Sequence, residues 1–106
     1  MPKSVYIICQ INVKNLNQYL LEYGLPVSKM IRKYGGEVLA ATPHVKTVEG
    51  DWYGNWTVIF RFPSEENARE FYNSEKYAKL KRARIDVLSE GGNVVLVPEF
   101  DMSLLQ

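Results

Sequence analysis

Nine residues near the start of the chain constrain the fold more than any others. Val5–Val13 reads VYIICQINV, with Val5, Ile7, Cys9, Ile11 and Val13 all apolar on one parity. The other parity (Tyr6, Ile8, Gln10, Asn12) is mixed. β-Branched residues in period-two alternation form a strand with one face in a core. Trp56–Phe62 repeats the pattern: Trp56, Val58, Phe60 and Phe62 are apolar, while Thr57, Ile59 and Arg61 are mixed. Two such strands require a second layer over the apolar face, and amphipathic helices are available to supply it.

Asn15-Leu-Asn-Gln18 has the form of a helix N-cap followed by glutamine at N3. Leu16, Tyr19, Leu20, Tyr23, Val27, Met30, Ile31 and Tyr34 then keep helical spacing up to the Gly35-Gly36 stop. Pro26 cannot donate to the Glu22 carbonyl, so a kink or break is expected near Gly24–Pro26. A strand over 37–42 is interrupted by Pro43 and expected to resume at 45–48, as a bulged edge strand. Ser64, with Glu65 and Glu66 behind it, opens a second helix carrying Ala68, Phe71 and Tyr72 inward. After a joint at Asn73-Ser74, helical periodicity returns over 75–88 until Gly91-Gly92, and a last strand spans 93–97. The tail, 99–106, carries Phe100, Leu104 and Leu105 and is expected to dock.

The order β-α-β-β-α-β is the split βαβ arrangement, a ferredoxin-like α+β unit with a four-stranded antiparallel sheet. At 106 residues, 46% of them apolar, residues 1–106 are read as one domain with an adequate core. Thirteen Lys and Arg against twelve Asp and Glu leave a net charge of +1, which predicts no strong pull toward nucleic acid or anionic membrane. The five basic residues from Lys76 to Arg84 lack the stacking aromatics and glycine signature of an RNA-recognition sheet, and are read as a solvated face. Cys9 alone makes no disulfide, and with His44 it is too little for a metal cluster. No cofactor is called for. Met1–Ser4 leads directly into the first strand, without the pattern of a signal peptide or membrane span, so a cytoplasmic location is expected.

Arg84 is the most informative single residue. Tyr77, Leu80, Arg84, Val87 and Leu88 fall on one helical stripe, which places a guanidinium at the edge of the inward face. An inward cation must find partners. It either clamps an anion or carboxylate in a pocket, with the Tyr77 hydroxyl beside it, or bonds Glu49, Asp51 or a backbone carbonyl; the structural role is the commoner one. His44, the one group with an unperturbed pKa near neutrality, follows Pro43 at the expected bulge, where an exposed histidine is usually just surface. Glu49-Gly-Asp-Trp52 pairs two acids with an aromatic, suited to acid–base or cation chemistry but more often a solvated turn. Cys9 lies on the apolar parity, where a thiol is normally inert.

Several of these segments together resemble domain-of-unknown-function family 1330. They are Tyr19 through Pro26, Tyr34-Gly-Gly36, Val48-Glu-Gly-Asp-Trp52, Phe62-Pro-Ser64, Phe71-Tyr-Asn-Ser-Glu-Lys-Tyr77 with Leu80 and Arg84, and Val94-Val-Leu-Val97. The resemblance spans about 4–98. It implies a dimeric α/β-barrel, in which two four-stranded sheets face each other with helices outside, and hence a homodimer formed through the mixed sheet face. Relatives in that superfamily include cofactor-free monooxygenases, lactone isomerases, haem-handling proteins and amino-acid-sensing domains. The family itself carries no assigned reaction. Glu49, Trp52, Tyr77 and Arg84 match its pattern and, with His44 from the residue reading, form the ligand-pocket candidates. Arg61 departs from it, since the family often has an acid before Phe-Pro-Ser, and Pro43-His44 replaces a small-residue stretch. The resulting expectation is a homodimer binding a small anionic or aromatic metabolite between sheet and helices, with cofactor-free catalysis left open. The alternative is a non-catalytic sensing or interaction module.

Overall fold

Period-two alternation becomes a four-stranded antiparallel sheet in the computed structural model, which describes residues 3–106. The strands are β1 (Val5–Val13), β2 (Glu37–Thr42), β3 (Trp56–Phe62) and β4 (Ser89–Pro98), in the order β2-β3-β1-β4. Central β1 pairs Ile7 with Phe60 of β3 and Leu96 of β4, and Ile8 with Ile59 and Val95. The wholly apolar parity thus meets its like across three strands, which sets the register.

One face of the sheet is covered by helices. Asn15 caps α1 (Leu16–Tyr19) by accepting from the Gln18 amide at 3.0 Å. A π-helical turn, Leu20–Gly24, joins α1 to α2 (Leu25–Lys33) without a break. Of the kink or break expected near Gly24–Pro26, the break does not occur, but the helix is irregular there: the Leu25 amide bonds back to the Leu20 carbonyl, and the widened turn takes up the mismatch before proline. The helix ends where Gly35, at φ +85, turns the chain, while a Cβ on Gly36 would meet Phe62 at 2.8 Å. Ser64 caps α3 (Glu65–Tyr72) and Ser74 caps α4 (Glu75–Ala83), each accepting from the amide three residues on. Phe71 joins the two layers, 5.5 Å from Phe62 and 4.6 Å from Tyr77 between ring centroids.

Other expectations change for identifiable reasons. No strand forms at 45–48. Thr42 already faces Thr57, and β3 begins at Trp56, so a continued β2 would have no backbone to pair with. β2 is an edge strand, but its irregularity lies between Val38 and Ala40 rather than at Pro43. A second π-helical turn, Arg84–Leu88, follows α4 and shifts the stripe there, leaving Val87 57% exposed while Arg84 and Leu88 are buried. The Ser89 hydroxyl closes that turn by donating to the Arg84 carbonyl. Gly91-Gly92 does not stop the helix but lies inside β4, where Gly92 opposes Ile11 across a bulge. Beyond β4, Phe100, Leu104 and Leu105 remain exposed, while the start of the tail is tied back by the Glu99 amide donating to the Ser4 carbonyl and by an ion pair between Asp101 and Lys3. Asp101 caps its final 3-10 turn, Met102–Leu105.

Among the described residues no helix covers the opposite face of the sheet, where Tyr6, Ile8, Ile59, Val95 and Val97 are partly or largely exposed. Among the described residues no helix is long and apolar enough to cross a membrane.

Candidate functional site

Four polar side chains converge between the helices and the sheet. The α1 spacing and the π turn bring Tyr19 and Tyr23 onto one inward face, with ring centroids 5.1 Å apart. Tyr77 enters from the first turn of α4, and its hydroxyl lies 2.7 Å from that of Tyr23. Arg84 opens the second π turn, only 6% exposed, with its guanidinium carbon 5.8 Å from the centroid of the Tyr23 ring. The two π turns therefore flank the same cluster, a feature frequent at functional sites.

Arg84 is buried without a counter-ion. Among the described residues no carboxylate lies within ion-pair distance of it; the acids that form ion pairs do so with Lys3, Arg61 and Arg69. Its Nε is buried and has no hydrogen-bond partner. Burial alone works against the charge, yet the tyrosines around it tip the balance upward, and an arginine stays protonated in any case. Burial dominates the neighbours in the other sense. It raises Tyr19, Tyr23 and Tyr77 above the ordinary phenol range, opposed in Tyr19 and Tyr23 by the Arg84 charge, and in Tyr77 by the hydrogen bond with Tyr23, the Arg84 charge and a hydrogen bond with the Arg84 guanidinium. The Cys9 thiol is likewise pushed up to about 12 by burial. At neutral pH the cluster is one fixed positive charge among neutral hydroxyl and thiol groups.

Two cavities adjoin the cluster. The first, of about 270 Å³, lies between β1, β4 and the α3–α4 pair, and is lined by Ile7, Tyr72, Tyr77, Val94 and Leu96. The second, of about 180 Å³, lies under α1 and α2 and is lined by Ile11, Val27, Ile31, Ala41, Val58 and Arg84. Cys9, Tyr23 and Phe60 form walls of both. This explains why Cys9 is only half-buried in the residue sense although its parity is the core parity.

Of the residues singled out in the sequence, the fold brings together Arg84 and Tyr77. It keeps His44, Glu49 and Trp52 away from them, on the 43–55 connection, where none lines either cavity. His44 and Glu49 are exposed, and Trp52 is anchored by its indole N–H donating to Thr57 Oγ1 at 2.9 Å. The bond from Arg84 to Glu49 or Asp51 does not form: both acids are exposed, and neither lines the cavity that Arg84 borders. Among the described residues no three His, Cys, Asp or Glu side chains group as metal ligands. Tyr19 and Tyr23 were not singled out as site residues. Their four-residue spacing is visible in the sequence, but it is equally the spacing of ordinary core aromatics.

The sequence matches the family described as Domain of unknown function (DUF1330) over residues 4–100. No curated protein matches it. Among solved structures, a protein of unknown function from Rhodopseudomonas palustris superposes with a TM-score of 0.75 at 12% identity, over 95% of this chain and 85% of that one. A candidate antibiotic biosynthesis monooxygenase from Caulobacter crescentus gives 0.63 at 9% identity, over 94% and 92% of the two chains. A dimeric ferredoxin-like protein of unknown function from Thermobifida fusca gives 0.55 at 11% identity, over 92% of each. At these identities the likeness is one of fold. With its ferredoxin-like α+β architecture and a match over nearly its whole length, the chain belongs to the DUF1330 family.

Proposed function

We propose that this protein is a homodimer whose protomers each bind a small anionic metabolite against Arg84. The observation that carries the binding half is the buried guanidinium at a cavity wall with no carboxylate near it. A charge removed from water and left uncompensated costs several kcal/mol, whereas an anionic ligand supplies the missing partner together with charge-assisted hydrogen bonds. Native mass spectrometry of gently purified protein tests this: retained anionic mass is expected on the wild type and not on Arg84→Met. Equal retention by both proteins excludes Arg84 as the anchor.

The dimer half rests on the outer sheet face, where Tyr6, Ile8, Ile59, Val95 and Val97 form an uncovered apolar patch. The Thermobifida fusca protein of the same architecture is described as dimeric. Ile8→Glu places a charge at the centre of that patch and is expected to yield a folded monomer by analytical ultracentrifugation. A dimer that survives the substitution rules this face out.

Catalysis is a second reading, favoured by Tyr23 and Tyr77. One phenol donates to the other, which leaves the second O–H, polarised by that bond and set beside a guanidinium, as a donor suited to a developing oxyanion. A ligand returned chemically unchanged after prolonged incubation supports a sensing module instead.

A further inference from the structure

The second cavity carries more chemical information than its possession of an arginine, and the reading above can be narrowed by it. Arg84 is the one charged residue in its lining; the rest is mainly Ile, Leu, Val and aromatic surface. A ligand with a single negative charge leaves its pair with Arg84 neutral. A second negative charge would have no cation to meet in that lining, where an unpaired ion loses part of its hydration without return. The guanidinium is a planar fork that matches the two oxygens of a carboxylate.

Size sets the rest of the molecule. An apolar cavity of about 150 Å³ accepts benzene, and this one measures about 180 Å³. It accommodates one six-membered ring, or a branched aliphatic group of similar bulk, with its carboxylate toward Arg84. The first cavity lacks an equivalent anchor. Arg69 lies at its margin, but is exposed and already holds Glu65 at 2.7 Å.

We infer that the ligand is a monocarboxylate with a compact apolar body, seated in the cavity between α1–α2 and the sheet, with Arg84 on its carboxylate. This rests on the anion-binding reading and goes beyond it in charge, body and place. The Tyr23 ring, which forms part of the wall, holds the guanidinium from one side and leaves the ligand to approach from the cavity.

Isothermal titration calorimetry of the dialysed wild-type protein tests it, with benzoate and isovalerate as probes. Benzamide and succinate serve as the neutral and doubly charged comparisons, and inorganic phosphate as an anion with no apolar body. At least one of the two monocarboxylates is expected to bind at least about tenfold more tightly than any comparison compound, the scale of one charge-assisted hydrogen bond. Ala41→Phe, which fills the second cavity, is expected to weaken that binding by about tenfold or more, whereas Val94→Phe in the first cavity leaves it within about twofold. Phosphate or succinate binding as tightly as the monocarboxylates, and lost in Arg84→Met, would overturn the monocarboxylate assignment and keep the anion site. Loss of binding in Val94→Phe but not in Ala41→Phe would overturn the choice of cavity. Failure of every anion to bind would overturn both readings.

Discussion

Arg84→Met removes the guanidinium while retaining an unbranched apolar stem that reaches about as far as Nε, and so keeps the packing of the stem while deleting the charge. In the ligand-free protein the wild-type side chain is buried, has an unsatisfied Nε and meets no carboxylate. Leaving a buried donor unpaired costs about 1–3 kcal/mol, more for a charged group. Against this stands its position over the Tyr23 ring, worth about 2 kcal/mol when desolvated. Methionine has no such donor and contributes apolar contact with the walls around it. The balance predicts a gain of about 1 kcal/mol. An unfolding entropy of about 2.1 cal/mol/K per residue over 106 residues converts that gain to a rise of about 4–5 °C in Tm. Differential scanning calorimetry of protein stripped of small molecules reads it directly. Arg84→Ala also removes the stem, and is expected to lie about 2 kcal/mol or more below the methionine variant. A fall in Tm of more than about 5 °C in Arg84→Met would refute the reasoning, because it would show that the guanidinium ties the native structure together instead of awaiting a ligand.

Three further predictions concern the surroundings. Tyr23→Phe and Tyr77→Phe each break the 2.7 Å hydroxyl bond and are expected to cost about 1–2 kcal/mol by urea unfolding, with the double variant costing less than the sum. Additive losses would show that the two hydroxyls do not act as a pair. Burial holds the Cys9 thiol at about 12 against an ordinary 9.0, and raises Tyr19, Tyr23 and Tyr77 in the same direction. Above pH 9 the unfolded thiol sheds its proton while the native one keeps it, so urea midpoints are expected to hold steady below that pH and to fall as pH rises toward 12. Midpoints unchanged up to about pH 11 would contradict the burial of these groups. Asn55→Ala loses two bonds to Val13, from its amide at 2.7 Å and to its carbonyl at 2.9 Å, and is expected to cost about 2 kcal/mol. An unchanged urea midpoint would mean that the link between β1 and the start of β3 contributes nothing.

The alternation of Val5–Val13 and Trp56–Phe62, the caps at Asn15 and Ser64, and the Gly35-Gly36 stop are legible because each is a local rule. Side-chain direction in a strand repeats every two residues, and a cap is satisfied within three, so neighbours along the chain decide both. An inward arginine at position 84 was visible for the same reason, from its spacing to Tyr77 and Leu88. The two π turns were not. An inserted helical residue leaves no composition signal, and it alone turns Val87 outward and carries the helix through Pro26.

What surrounds Arg84 belongs to the tertiary structure alone. Tyr23 and Arg84 lie about sixty positions apart in sequence and on different helices, and they meet only because both helices pack on one face of β1. Among the described residues no carboxylate pairs with the guanidinium: Glu49 and Asp51 stay exposed on the 43–55 connection, whose end is tied to Val13 of β1 and Glu90 of β4. Local periodicity determines which residues turn inward; only the packing of distant elements determines what an inward charge finds there, because the partner's position depends on how the layers dock.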